Sequence, residues 1–224
     1  QDLLKDIKKT ETPIVLVLMN GRPLDLSWED KNVAAILETW FLGTNASKAI
    51  ANTLFGYNNP SGKLTVSFPR NVGQIPIFYN QKNTGRPIDA LNADPKYTSK
   101  YLDVENSPLY PFGFGLSYTT FSYSDVELSN DILFLNTSIT ASVKITNTGN
   151  YDGSEIVQLY IRDLFGSITR PIKELKGFKK VFLKKGETKK INFKITEDLL
   201  KFYNPENKYI SEEGEFKLSI SSNS

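Results

Sequence analysis

Apolar positions change their period twice along this 224-residue chain. Near the start, Leu3, Leu4 and Ile7 sit at helical spacing, and Thr12-Pro13 stops that helix. The run 14–19, Ile-Val-Leu-Val-Leu-Met, is apolar on both faces, which predicts a buried parallel strand. Ala34, Ala35, Ile36 and Leu37 predict a second. Ala46, Ala49, Ile50, Thr53 and Leu54 then make an amphipathic helix over 45–55 that ends at Gly56. Residues 1–69 therefore carry an α/β pattern.

Over 70–120 the periodicity disappears. Pro76, Pro87, Pro95, Pro108 and Pro111 alternate with Gly73, Gly85, Gly113 and Gly115, and aromatic residues are dense: Phe78, Tyr79, Tyr97, Tyr101, Tyr110, Phe112, Phe114 and Tyr118. So long an irregular stretch is usually functional or a linker, and its aromatics predict an ordered wrap over a partner surface. From 121 onward the period is two. Ile139, Ala141, Val143 and Ile145 alternate with polar residues before an Asn147-Thr-Gly-Asn150 turn. Val157, Leu159 and Ile161 follow, then the run 178–183 into Lys185-Gly-Glu187, then Ile191, Phe193 and Ile195, and after Glu213-Gly214 the set Phe216, Leu218 and Ile220. Short strands at this spacing over 121–224 predict an immunoglobulin-like or fibronectin type III-like sandwich, and the absence of Cys favours the fibronectin-like variant.

Composition narrows the chemistry. There is no Cys and no His, which removes thiol nucleophiles, Ser-His constellations and thiolate zinc sites and leaves carboxylates, Lys and Tyr for acid–base work. A formal charge of +2, from 27 basic against 25 acidic residues, makes no electrostatic case for nucleic acid. No apolar run approaches the roughly 18 residues of a membrane span. The chain begins at Gln1 and its single methionine is Met19, so it is expected to be an excerpt or a processed product.

Four features carry less than they suggest. Gly56-Tyr-Asn-Asn-Pro-Ser-Gly-Lys63 has one residue too many for a phosphate loop, Pro60 removes a backbone donor, and Leu64 stands where a Ser or Thr belongs; it reads as a turn after the helix. Lys176, Lys179, Lys180, Lys184, Lys185, Lys189, Lys190 and Lys194 cluster with Glu187 alone among them, and read as a solvated hairpin guarding strand edges. Asp25, Glu29, Asp30, Glu38, Asp103 and Glu105 lie in or near loops, and sequence cannot set two of them across a glycosidic bond. The sequons at Asn45 and Asn136 match what so Asn-rich a chain gives by chance.

Against this background, ordered motifs resemble family 3 glycoside hydrolases, the β-glucosidase and β-xylosidase group. They are Pro13-Ile-Val-Leu-Val-Leu-Met-Asn-Gly-Arg-Pro-Leu24, Ala35-Ile-Leu-Glu-Thr-Trp40, Leu54-Phe-Gly56 and Asn59-Pro-Ser-Gly-Lys-Leu-Thr-Val-Ser-Phe-Pro69. Gly73-Gln-Ile-Pro76, Thr84-Gly-Arg-Pro87 and Pro108-Leu-Tyr-Pro-Phe-Gly-Phe-Gly-Leu-Ser-Tyr-Thr119 follow in family order. Asn147-Thr-Gly149, Glu155-Ile-Val-Gln-Leu-Tyr160, Arg170-Pro171 and Glu174-Leu-Lys-Gly-Phe178 resemble the family's fibronectin type III-like module. Departures fall at loops and strand ends: Phe41-Leu-Gly43 where the family has a Pro-Gly pair, Thr44-Asn-Ala46 where it is richer in Gly and acid, and Ile220-Ser-Ser222 for its Gly-containing ending.

The resemblance implies the end of an α/β sandwich domain over 1–69, an aromatic wrap over 70–120 and a fibronectin-like sandwich over 121–224. It implies a retaining hydrolase of terminal β-linked sugars, with an Asp nucleophile and a Glu acid/base both upstream of Gln1, so no catalytic residue is expected within the chain. The implied partners are an N-terminal (β/α)8 barrel, the rest of the sandwich domain and a β-glucoside or oligosaccharide, with no cofactor or metal and with export to the periplasm or beyond. Arg86, Tyr97 and Tyr101 are the expected substrate-side residues, since Tyr stacks on sugar faces and Arg bonds hydroxyls; packing of the wrap onto its own domains stands as the alternative use of all three. A stand-alone carbohydrate-binding or scaffold module is the competing reading of the whole. Against it, two parallel strands with little helix would leave 14–18 uncovered.

Overall fold

The computed structural model describes residues 2–88, 94 and 96–224; Gln1 and Pro95, both used above, lie outside them. The α/β portion holds α1 (Asp2–Lys8), β1 (Val15–Leu18), α2 (Ser27–Asn32), β2 (Ala35–Glu38) and α3 (Ala46–Leu54). β1 and β2 pair in parallel, with Val15 opposite Ala35 and Leu18 opposite Glu38. Both strands and α3 are shorter or shifted by a residue relative to the hydrophobic pattern, because end residues turn away to start the loops. α2 was not foreseen; its six residues are too few to show a period. Neither strand is buried through its length: Val15 is 52% exposed and the flanking Met19 69%.

The all-β portion follows as β3 (Phe121–Tyr123), β4 (Glu127–Leu128), β5 (Ser138–Asn147), β6 (Gly153–Asp163), β7 (Glu174–Leu183), β8 (Thr188–Thr196), β9 (Phe202–Tyr203), β10 (Tyr209–Ile210) and β11 (Phe216–Ser221). One sheet runs β11-β6-β7; the other centres on β5, with β8 along one side and β3 and β4 sharing the other. β9 and β10 make a separate two-stranded ribbon. The inward residues are those that alternate in the sequence: Ala141, Val143 and Ile145 from β5, Val157, Leu159 and Ile161 from β6, Ile191, Phe193 and Ile195 from β8, with Leu183 and Ile220. Each large side chain so buried contributes about 1.5–3 kcal/mol, and this core holds the sandwich together.

The outward face of β6 is not left to water. Gln158 and Tyr160 are 3% and 1% exposed because Tyr79, Phe112 and Gly113 lie over them. Tyr79 stacks on Phe112 at 4.3 Å between centroids and meets the Tyr160 ring edge-on at 6.0 Å. The Gln158 amide donates to the carbonyls of Gly113 and Ser222, and its Oε1 accepts from the Tyr160 hydroxyl. Gly113 has φ +81°, and a Cβ there would fall 2.2 Å from Gln158 Oε1. At Gly115 the obstacle is backbone, the Gly62 carbonyl oxygen at 2.4 Å. The alternating Phe-Gly-Phe-Gly motif thus supplies stacking rings and the two places where chain meets chain.

The lysine cluster needs a correction. Glu187 is not its lone counter-charge: Lys190 pairs with Glu127 of β4 at 2.8 Å and Lys176 with Glu174 at 3.3 Å, while Lys189 takes Glu187 at 3.2 Å. The hairpin is solvated, but its charges are partly balanced from a strand distant in sequence.

Burial raises the phenols of Tyr110, Tyr123 and Tyr160 above the ordinary value of 10.0, helped by Asp30, Glu155 and Tyr79 respectively. A phenol favoured as the neutral form in the folded state keeps its contribution up to about pH 10 and loses it as the pH rises further, since the unfolded chain then ionises first. Thermal melts from pH 8 to 11.5 should show a fall that begins near pH 10, and Tyr123→Phe should make it shallower. A flat wild-type profile would contradict the burial of these groups.

Candidate functional site

Two regions could face a substrate. The first is the carboxyl edge of the parallel pair, where α/β sheets ordinarily bind ligands. Thr39 closes the edge by donating both its amide (3.0 Å) and its hydroxyl (2.6 Å) to the Leu18 carbonyl. The next residue, Trp40, has φ +52°, a backbone region that bulky side chains rarely occupy, and its ring lies 5.9 Å from that of Phe68. Glu38 accepts from the Trp40 amide at 2.9 Å. Burial raises its carboxyl above the usual range, against the lowering effect of the Trp40 and Thr39 amides and the Asn20 side chain. This is a polar rim, with Phe41 exposed beside it.

The second region is the loop that carries the expected sugar-contacting residues. The Arg86 guanidinium carbon lies 5.8 Å from the Tyr97 ring centroid and the Lys96 ammonium 5.2 Å from the same ring. Ser99 donates its amide to the Arg86 carbonyl at 2.8 Å, which closes the loop's base. Asn106 braces the far side, accepting from the Tyr101 amide at 3.0 Å and donating to the Ser99 carbonyl at 2.9 Å. Arg86 and Tyr97 are therefore brought together, while Tyr101 stands further along the loop on Asn106. Tyr97 and Tyr101 are 54% and 43% exposed, so both present ring surface to the outside.

The carboxylates take distinct local roles. Asp25 accepts from the Ser27 amide, Asp30 from the Tyr110 hydroxyl at 2.6 Å, and Glu105 pairs with Arg70 at 3.1 Å. Lys63 of the superficially phosphate-like turn is committed elsewhere. Its ammonium donates to the Gly115 carbonyl at 2.8 Å and pairs with the buried Glu155 of β6 at 3.1 Å. Among the described residues, no group of three or more Asp or Glu could hold a metal ion.

Side chains that sequence reasoning passed over do most to fix these regions. Gln74, 2% exposed, accepts from the Arg70 amide and donates to the Glu105 carbonyl, which ties the start of the irregular stretch to its end. Asn59 accepts from the Ser117 hydroxyl and the Tyr118 amide and donates to the Asp152 carbonyl. Both lie inside the motifs quoted above, and that position was the available signal.

The profile of the glycosyl hydrolase family 3 C-terminal domain matches residues 1–118, and that of a fibronectin type III-like domain matches 155–224. The chain belongs to glycosyl hydrolase family 3. A periplasmic beta-glucosidase of Salmonella typhimurium is 53% identical over 98% of the chain, and a beta-xylosidase of Formosa agariphila 45% identical over all of it. The solved structure of a Listeria innocua beta-glucosidase in complex with glucose superposes over 99% of the chain with a TM-score of 0.92 at 40% identity. The chain spans only 29%, 30% and 31% of these three family 3 proteins. Among its described residues, no helix is long and apolar enough to cross a membrane.

Proposed function

We propose that this chain is the C-terminal region of a retaining β-glucosidase-type hydrolase that removes terminal β-linked sugars. The observation that carries the proposal is the match along nearly the whole chain to β-glucosidases and a β-xylosidase more than three times its length. In this reading two carboxyl groups act, one as nucleophile and one as acid/base, through a covalent glycosyl-enzyme, and both belong to the preceding part of the enzyme. A barrel and the remaining strands of the sandwich domain are the intramolecular partners, and they cover the exposed faces of β1 and β2. We further propose the division 1–69, 70–120 and 121–224, whose second boundary lies close to the end of the first family match at 118, and export to the periplasm, supported by the name of the Salmonella relative.

Within the chain, Arg86, Tyr97 and Tyr101 rim the sugar-binding pocket. Their exposure and the Arg86–Tyr97 contact support that role. The test is the kinetics of the longer enzyme that carries this chain. It should hydrolyse an aryl β-glucoside and a β-linked disaccharide, and Arg86→Ala and Tyr97→Ala should each raise KM for the disaccharide about tenfold, equivalent to about 1.4 kcal/mol. Unchanged constants in Arg86→Ala, Tyr97→Ala and Tyr101→Ala would remove these residues from the pocket.

A further inference from the structure

At the end of the sandwich where β5 begins and β8 stops, an open groove of about 340 Å³ lies between the turn before β5 and the short 3-10 turn Glu197–Leu199. Ser138 and Thr196 stand directly opposite each other across the strand pair, and Thr140 and Lys194 form the next pair on that face. Asn136 closes one side of the groove and Asp198 and Lys201 the other. Among the described residues, none bonds the side chains of Asn136, Ser138, Lys194 or Thr196, so an amide, two hydroxyls and an ammonium point their hydrogen-bonding capacity at solvent.

Charge in the groove is balanced. Lys194 and Lys201 face Glu197 and Asp198, and the Lys201 ammonium already takes Asp198 at 2.7 Å and Glu197 at 3.7 Å. Neither a strong anion nor a cation has a net field to find here. Donors and acceptors of both kinds remain, which suits a neutral molecule dense in hydroxyl groups. The turn beside the groove adds an apolar element. Thr137 donates its amide (3.1 Å) and its hydroxyl (2.7 Å) to the Phe134 carbonyl, which closes a four-residue turn in which Asn136 adopts φ +59°. That turn leaves Phe134 62% exposed, two residues from Asn136, where an aromatic ring can cover the C–H face of a sugar.

We propose that this groove binds a neutral oligosaccharide, holding its hydroxyls through Asn136, Ser138, Lys194 and Thr196 with Phe134 against a sugar ring. The groove thereby keeps a polymer near the enzyme. The choice of a β-linked glucan as ligand rests on the hydrolase reading above. A volume of 340 Å³ lies at the small end of ligand sites and suits one or two sugar units rather than a long stretch of chain.

The test is affinity electrophoresis of the longer enzyme that carries this chain, in gels containing hydroxyethylcellulose or carboxymethylcellulose. Hydroxyethylcellulose should retard the wild type, and Asn136→Ala/Lys194→Ala and Phe134→Ala should each weaken the retardation at least fivefold. All these positions except Lys194 lie on one exposed turn, and melting temperatures should stay within a degree or two of the wild type. Hydrolysis of an aryl β-glucoside should be unchanged. Equal retardation of wild type and variants, no retardation of the wild type, or retardation by carboxymethylcellulose alone would each overturn the proposal. If the wild type fails to hydrolyse the aryl glucoside, the hydrolase reading falls, while the mobility comparison still decides the groove.

Discussion

Purified by itself, the 224-residue chain is expected to leave an aryl β-glucoside at its background rate of hydrolysis. Retention requires two carboxyl groups about 5–5.5 Å apart on either side of the scissile bond. Four of the candidate carboxylates are engaged locally: Asp25 by the Ser27 amide, Asp30 by Tyr110, Glu38 by the Trp40 amide and Glu105 by Arg70. On the proposed role of Arg86 and Tyr97, a sugar brought to their loop would be bound without being attacked. Losing the residues that act as one catalytic unit forfeits on the order of 10⁶-fold in rate. The rate of nitrophenol release per mole of chain, set against the same measurement on the longer enzyme, checks this. Turnover within a hundredfold of the longer enzyme would mean that the acting carboxylates lie inside these residues.

The second large effect concerns stability. Glu155→Leu is expected to destabilise the protein by about 3–5 kcal/mol, because it strands a buried ammonium. Lys63 and Glu155 side chains are only 11% and 5% exposed, and the pair joins a loop of the α/β portion to the first residues of β6. The Tyr123 phenol lies beside the same carboxylate, whose charge helps to keep it neutral. Without Glu155, the Lys63 ammonium keeps the Gly115 carbonyl as an acceptor. The double variant Lys63→Met/Glu155→Leu should recover most of the loss, since a matched apolar pair pays no desolvation cost. Urea unfolding of the wild type, both single variants and the double variant closes the cycle. A single-variant loss under 1 kcal/mol would show that water reaches the pair.

Sandwich strands were legible because one face is core and the other solvent, so β5 and β8 print their period directly into the sequence. The same logic hides the residues that join the parts. Gln74, Asn147 and Gln158 are polar and buried, and a pattern reader assigns such positions to the surface. Asn147 donates to the carbonyls of Tyr151 and Leu183 and accepts from the Thr119 hydroxyl, contacts that span up to 36 residues. β3, β4, β9 and β10 have two or three residues each, too short for any period to register. At the candidate site the residue types were readable and the arrangement was not. Arg86 and Tyr97 could be named for their chemistry, but their meeting depends on the Ser99–Arg86 backbone bond that folds the loop on itself.

The way Tyr79, Phe112 and Gly113 rest on β6 also implies an order of events. Lys63 meets Glu155 across 92 positions and Gln158 meets Gly113 across 45, while Asn59 reaches Asp152 across 93. Contacts of such separation repay the entropy of loop closure only once their platform exists. β6 becomes a platform only when β11 and β7 flank it and its inward residues have found the β5 sheet. The aromatic stretch is therefore a late arrival that settles on a finished sandwich, and during synthesis it waits for the chain that follows Gly115 up to the end of β11 at Ser221.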